Sequence, residues 1–325
     1  MPDMLALAAQ NMLSPVILCF VLGLLAAVAR SDLTIPEAVA KGMSIYLLFA
    51  IGFKGGVAVA AHGVNLTLGK AMLAGIALSF LLPFLAFALL RAITAMSVTD
   101  AAAVSAHYGS IFIVTFVTAT SVLQAQDIAA EGYMVAVAAA MEAPAIISAL
   151  WLASRGGARS EGDGDLWREI FLNGSIVLLV GSFLIGAITG DKGMARIEAF
   201  IVTPFQGVLC LFLLDMGLVA GRGLAQAGKL LRGGTLAFGM IMPLLGAATA
   251  LLAGLALGLS TGGVALFMVL GASASYIAVP AAMRVALPEA NPSLSLSLAL
   301  GITFPFNLTL GIPLYIAVAQ GLTGG

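Results

Sequence analysis

The chain has 325 residues, 61% hydrophobic and 9% charged, with a formal net charge of −1 and a mean hydropathy of +1.12. A soluble domain carries about 25% charged residues, so this composition excludes a water-facing globular fold, and the near-zero charge gives nucleic acid nothing to bind. Lipid is the solvent for most of the chain, and the spans it implies are helices that satisfy their own backbone hydrogen bonds.

The opening segment MPDMLALAAQNM precedes the first basic residue, Arg30, and lacks the positive region of a signal peptide. It reads as an interfacial lead into the first span. A membrane helix needs about 20 mostly apolar residues. By that measure the first spans cover about 13–30, 36–60, 70–95, 101–124 and 132–153. The Gly-rich, charged SRGGARSEGDGDLWRE, Ser154 to Glu169, reads as a linker. Five further spans cover about 170–190, 197–222, 233–258, 262–287 and 294–321. The expected fold class is an all-α polytopic membrane protein of ten transmembrane helices, organised as residues 1–153, a linker 154–169 and residues 170–325.

The second part repeats the first. Pro83, Gly109 and Pro144 recur as Pro243, Gly271 and Pro305, at offsets of 160, 162 and 161 residues. Five spans per copy is an odd number, so the second copy inserts upside down. Inverted repeats belong to secondary transporters, whose site lies near the bilayer midplane where the copies meet. With the N-terminus outside, Arg30, Lys41, Arg91, Arg155, Arg159, Arg168, Arg222, Lys229, Arg232 and Arg284 fall on the cytoplasmic side. Lys70, Lys192 and Arg196 fall outside, and Lys54 within a span. The positive-inside rule therefore places both termini outside and the linker in the cytoplasm.

The fourth span, VSAHYGSIFIVTFVTATSVL, and the ninth, LGASASYIAVPAAMRVAL, hold Gly, Ser and Thr at mid-span, and the ninth also holds Pro280. Helices 4 and 9 are therefore expected to be broken, the sequence sign of a transporter site. The N-terminus of a half-helix suits an anion, and freed carbonyls and hydroxyls suit Na+. Ser110, Thr115, Ser273 and Ser275 are the hydroxyl candidates; the competing role for each is a bond to its own helix carbonyl. Most of the 38 glycines read as close-packing positions. Asp215 lies within an apolar run, where an unpaired ionisable group costs at least about 2.5–3.5 kcal/mol. It is a candidate to bind a cation, carry a proton or pair with Lys54, which otherwise snorkels to the interface. Glu142, just before Pro144, is a sodium or proton ligand candidate. Thr303 and Asn307 flank Pro305 and either bind the coupling ion or satisfy carbonyls that proline frees. Arg284 either ends the ninth helix or attracts the anion at its inner mouth. His107 shares a face with Ser110, but no acid orients a hydrolytic dyad, and no HExxH, Cys/His set or phosphate loop is present. Cys19 and Cys210 read as packing residues.

These residues carry a resemblance. LTIPEAVAKGMSIYLLFAIGFKGGVAVA, HYGSIFIVTFVTATSVL, EAPAIISAL, and SASYIAVPAAMRVALPEANPS followed by GIPLYIAVAQGLTGG resemble the sodium-dependent bicarbonate transporter family of cyanobacteria and other bacteria. The likeness covers nearly the whole chain. It implies two inverted five-helix halves, a core domain that carries bicarbonate and Na+ against a gate domain, trimeric assembly, and in some cyanobacterial members a PII-like regulator at the cytoplasmic face. It implies sites at Gly109, Ser110 and Thr115 and at Ser273 and Ser275. We add Ala274 to the anion set, and take Thr115, Glu142, Asp215, Thr303 and Asn307 as the coupling-ion set. Two departures stand out: Tyr276 where cyanobacterial members carry Asp, and Ile111-Phe112-Ile113-Val114 where theirs is small and Ser-rich. Asp215 and Glu142 are the carboxylates available in place of the missing one.

The expectation is sodium-coupled bicarbonate uptake by alternating access across the bacterial inner membrane, with Na+ as coupling ion and no prosthetic group. A sodium/proton antiporter on Asp215 and Glu142, or a carrier of another small anion such as a carboxylate, are the alternatives. An intramembrane hydrolase on Ser110 and a passive channel are the readings from other classes.

Overall fold

A computed structural model describes residues 13–62, 66–142, 144–155, 174–227, 233–276, 279–280, 283 and 287–324. The expected linker beyond Arg155, the lead MPDMLALAAQNM, and Lys229, Arg232 and Arg284 lie outside the described residues. Those described form helices and connecting turns, with no strand among them.

In chain order the first half gives α1 (Pro15–Val28), α2 (Glu37–His62), α3 (Leu66–Ile93), α4 (Val98–His107), α5 (Ile113–Ala125), α6 (Met134–Ala140) and α7 (Pro144–Arg155). The second gives α8 (Gly174–Ile201), α9 (Phe205–Ala227), α10 (Gly234–Ala256), α11 (Thr261–Ala272) and α12 (Pro292–Thr323). Seven stretches are long and apolar enough to cross a membrane, while α1, α5 and α11 are apolar but shorter. The shortfall from ten has a local cause at the fourth and ninth expected spans, where the backbone leaves the helix in mid-run. The fifth also breaks, at Met141 and Glu142. α8 is two helical stretches joined at a kink, which falls where the sixth span was expected to end. Gly190 takes φ 55° and ψ −149° there, and this left-handed residue turns the chain without unwinding the charged DKGMAR that follows.

Two helix pairs form one side of the molecule, α1 with α9 and α2 with α8. Both rest on glycine. A side chain at Gly52 would meet Ser182 and the Leu179 carbonyl, and one at Gly56 would meet the Phe183 carbonyl and the Ala187 nitrogen. Gly217 abuts the Phe20 carbonyl, and Gly221 the Leu24 carbonyl. In each pair the contacts advance in the same direction along both helices, so each pair is parallel. The contacts also match between halves: Gly23 sits on the Leu214 carbonyl as Gly186 sits on that of Phe53, and Gly217 on Phe20 as Gly56 on Phe183. Without a hydrophobic drive between helices in lipid, such backbone-to-backbone contact is the main source of association.

The other side gathers α3 to α7 and α10 to α12. Pro83 lies inside α3 and Pro243 inside α10. Each lacks the N–H that would bind the carbonyl four residues earlier. For Pro243 that carbonyl is Gly239, and the Thr303 hydroxyl donates to it at 2.7 Å. In the first half the Ser79 hydroxyl donates instead to Met141 O, at 2.7 Å, where α6 ends.

The starts of α4 and α11 are tied across the halves. Ser97 caps α4, accepting from Asp100 N at 3.0 Å, and Asp100 Oδ1 accepts from Asn291 N at 2.8 Å. Ser260 caps α11, accepting from Gly263 N at 3.1 Å, and gives its own N–H to Glu131 Oε1 at 2.7 Å. Asn291 and Glu131 occupy matching positions, 160 residues apart, so each half supplies the loop that secures a helix start in the other.

Candidate functional site

α4 ends at His107 with Tyr108 as its cap, and the chain runs non-helically to Phe112, whose φ −106° and ψ 103° are extended. α11 ends at Ala272, and Ser273 takes φ −73° and ψ 156°, also extended. The two breaks meet. Ser275 N donates to the His107 carbonyl at 2.7 Å, and His107 Nδ1–H donates to the Ser275 carbonyl at 2.6 Å. Two interrupted helices from opposite halves thus cross and close a reciprocal pair of hydrogen bonds in the buried interior. Glycine permits the approach: a side chain at Gly109 would strike the Pro83 ring and the Ser79 carbonyl, and Gly271 packs backbone to backbone on Gly246.

Around this crossing the structure gathers most of the residues singled out from sequence. Gly109, Ser110, Thr115, Ser273, Ala274 and Ser275 are all buried. The Ser110 hydroxyl faces Glu142 Oε2 at 3.4 Å. Glu142 is 6% exposed, and among the described residues this hydroxyl is its hydrogen-bond partner. A carboxylate with so little compensation costs stability in an apolar interior, which makes Glu142 a candidate for binding or proton work. The Ser273 hydroxyl is bound back to Val269 O at 2.7 Å, the local alternative expected of a helical serine. Thr303 accepts from the Tyr108 hydroxyl at 2.7 Å while donating to Gly239. The Asn307 amide donates to Ala272 O at 2.7 Å, and its oxygen accepts from the Tyr315 hydroxyl at 2.9 Å. These two side chains are engaged in holding the breaks: Thr303 through Tyr108, Asn307 through the last carbonyl of α11.

Asp215 lies apart on α9 and is 7% exposed. Lys54 does not pair with it; the ammonium stands 4.3 Å from the centre of the Phe205 ring. His107 spends Nδ1 on Ser275, so its place is in the crossing. Tyr276 and Phe112, one residue from each of the two departures noted from sequence, touch edge to face with centroids 6.0 Å apart. Phe112 also packs on Phe304 at 4.9 Å, and Phe304 on Phe20 at 5.3 Å. An aromatic wall therefore closes one flank of the crossing. Sequence reasoning missed this contact, and missed the Tyr108–Thr303 bond; neither has a signal in spacing, because the partners are distant in the chain.

Two cavities approach the crossing from opposite ends. One of about 370 Å³ runs between α2, α5, α6 and the start of α9, and reaches Phe116 and Leu266. Phe116 is four residues from the break at Phe112. The other, of about 130 Å³, is lined by Ala103, His107, Pro280, Met283, Leu287 and Pro292. A search of curated proteins finds no match. A family model described as the Na+-dependent bicarbonate transporter superfamily matches residues 15–320.

Proposed function

We propose sodium-coupled bicarbonate uptake by alternating access, and the premise is that this chain belongs to the Na+-dependent bicarbonate transporter superfamily. It is a multi-pass membrane protein with a transporter's ancestry. The observation that carries the specific reading is the crossing of two interrupted helices between cavities on opposite sides. Such a point can be reached from either face, one at a time.

The ten-helix inverted arrangement is part of the proposal. α2 runs parallel to α8, and α1 parallel to α9, as judged from their glycine contacts. If α1 and α2 cross in opposite directions, then α8 opposes α1, and the second half is upside down relative to the first. α1, α2, α8 and α9 form the gate; the remaining helices form the core. By this reading the anion sits at Gly109, Ser110 and Ser273 to Ser275, against the N-terminal turn of α5, whose first N–H groups have no partner within the helix. Na+ is taken up next to it by Glu142 with Thr115, and Asp215 adds negative charge from the gate side. Thr303 and Asn307 keep the half-helices in register. The gate then moves past the core, and the cavity on the far side opens. Termini outside, the linker in the cytoplasm of a bacterial inner membrane, and a homotrimer open to a PII-like regulator complete the proposal from the charge pattern and the family.

The test is uptake of radiolabelled bicarbonate by purified protein in liposomes, with an inward Na+ gradient or with choline in its place. Uptake that needs Na+ is expected. Equal uptake in choline removes the coupling, and no uptake removes the substrate. Glu142 supports a second coupling mode, since a buried carboxylate carries a proton as readily as it binds Na+; uptake driven by a proton gradient alone identifies that case.

A further inference from the structure

The cavity of about 370 Å³ holds polar groups that the crossing does not use. Its wall is apolar over Ile51, Val117, Leu123, Met134 and Leu266. Into it projects Lys54, half-buried, with the Phe205 ring as its charge-stabilising contact among the described residues. Ser121 lines the same cavity, is 5% exposed, and its hydroxyl has no hydrogen-bond partner among the described residues. Gln124, three residues on along α5, is exposed at the mouth. The other charged side chain on the wall is Glu131, and it is already engaged: Oε1 accepts from Ser260 N at 2.7 Å and Oε2 from the Ser260 hydroxyl at 2.9 Å. An aromatic face recovers part of what an ammonium loses on leaving water, but it is no substitute for an anion.

We propose that this cavity is a vestibular binding site for a small monovalent oxyanion, held by the Lys54 ammonium and the Ser121 hydroxyl before it moves on to the crossing. The ammonium supplies three donors and a compact positive charge. Ser121 supplies a donor that no other group among the described residues occupies. The apolar walls strengthen the attraction by excluding water. Phe116 forms the inner end, so an anion released there is one helical turn from the break. The direction of travel rests on the transporter reading above. The charge selectivity of the cavity does not, and it is tested without transport.

In a Cys19→Ala, Cys210→Ala background, Gln124→Cys places one thiol at the mouth. In detergent-solubilised full-length protein, its reaction with a sulfonate-bearing methanethiosulfonate is compared with that of a trimethylammonium reagent of similar size. After correction for reactivity with free thiol, the anionic reagent is expected to be faster by about tenfold at low salt. Lys54→Met removes that preference, and Lys54→Arg keeps it. Potassium bicarbonate or potassium nitrate slows labelling where Lys54 is present and not in Lys54→Met. Equal rates for both reagents, a preference that survives Lys54→Met in a monodisperse protein, a thiol that reacts with neither reagent, or no protection by either salt would overturn the vestibule. Protection by nitrate without protection by bicarbonate leaves the vestibule standing and counts against bicarbonate as the cargo.

Discussion

At the scale of single residues the crossing separates groups that hold it together from groups free to act. Asn307 satisfies Ala272 O and Tyr315 Oη together. Asn307→Ala leaves a buried carbonyl and a buried hydroxyl without partners, at about 1–3 kcal/mol for each. The expected result is a lower melting temperature in detergent, with transport lost as a consequence. Ser110 and Glu142 contact one another at 3.4 Å, a weak bond to lose. Glu142→Gln keeps the shape and removes the charge. It is expected to leave the melting temperature nearly unchanged and to raise the Na+ concentration needed for half-maximal uptake by about tenfold, the size of one charge-assisted contact. An unaltered Na+ response would remove Glu142 from the coupling site. The place of the breaks was legible beforehand: Gly109, Ser110, Ser273 and Ser275 stand out because small polar residues interrupt an apolar run, and Glu142 because a carboxylate there is costly, while the roles proposed for them are what these variants test. The division of labour was not legible. Asn307 and Ser110 look alike in sequence, and only the structure shows that Asn307 is tied to a carbonyl while the Ser110 hydroxyl faces Glu142.

At the scale of helices the decisive contacts are between backbones. On α2, Gly56 meets the Phe183 carbonyl, whereas Gly42 has open space where a side chain would go. Gly56→Val is expected to force α2 off α8 and sharply cut the yield of folded protein, while Gly42→Val in the same helix is tolerated; size-exclusion profiles of the two variants make the comparison. The caps form a second set. Ser260→Ala removes the acceptor for Gly263 N and a donor to Glu131, so it is expected to destabilise by more than the ~1 kcal/mol typical of a lost N-cap, and Glu131→Gln partly reproduces the loss. Thermal melts of both variants check this. The sequence marked Pro83 and Pro243 as matching landmarks, yet passed over Phe20-x-x-Gly23 against Phe183-x-x-Gly186, and Phe53-x-x-Gly56 against Leu214-x-x-Gly217. In a chain with 38 glycines a repeat of two residues has no contrast. What makes these four special is the carbonyl each one touches, which belongs to the other half. The kink at Gly190 falls where the sixth span was expected to end, whereas the helical backbone of 191–201 beyond it lay mostly between the expected spans.

At the scale of the whole molecule the proposal makes the halves related by a two-fold axis in the membrane plane. The loop before α6 and the loop before α12 then face opposite compartments. Thiols introduced by Ala130→Cys and Ala290→Cys are expected to react with an impermeant maleimide from opposite sides of the membrane, Ala130→Cys from outside. Labelling of both from one side would remove the inversion, whatever the fate of the substrate. Composition was enough to forecast a multi-pass helical membrane protein, and the orientation that the Lys/Arg count implies is what this labelling reads. Neither carried information on which helices pair, since any apolar helix can lie beside any other until backbone shape decides.

The ties between the helix starts of α4 and α11 and the loops of the opposite halves have an implication for assembly of the chain. The Asp100–Asn291 and Glu131–Ser260 bonds each join a helix start in one half to a loop in the other. Each helix start draws its cap from its own half and one further bond from the other, so the two pieces are expected to steady one another as if clasping hands. A ribosome that has delivered just residues 1–153 has delivered something unfinished, and fragments split within the linker should regain a folded carrier only when both are made in the same cell.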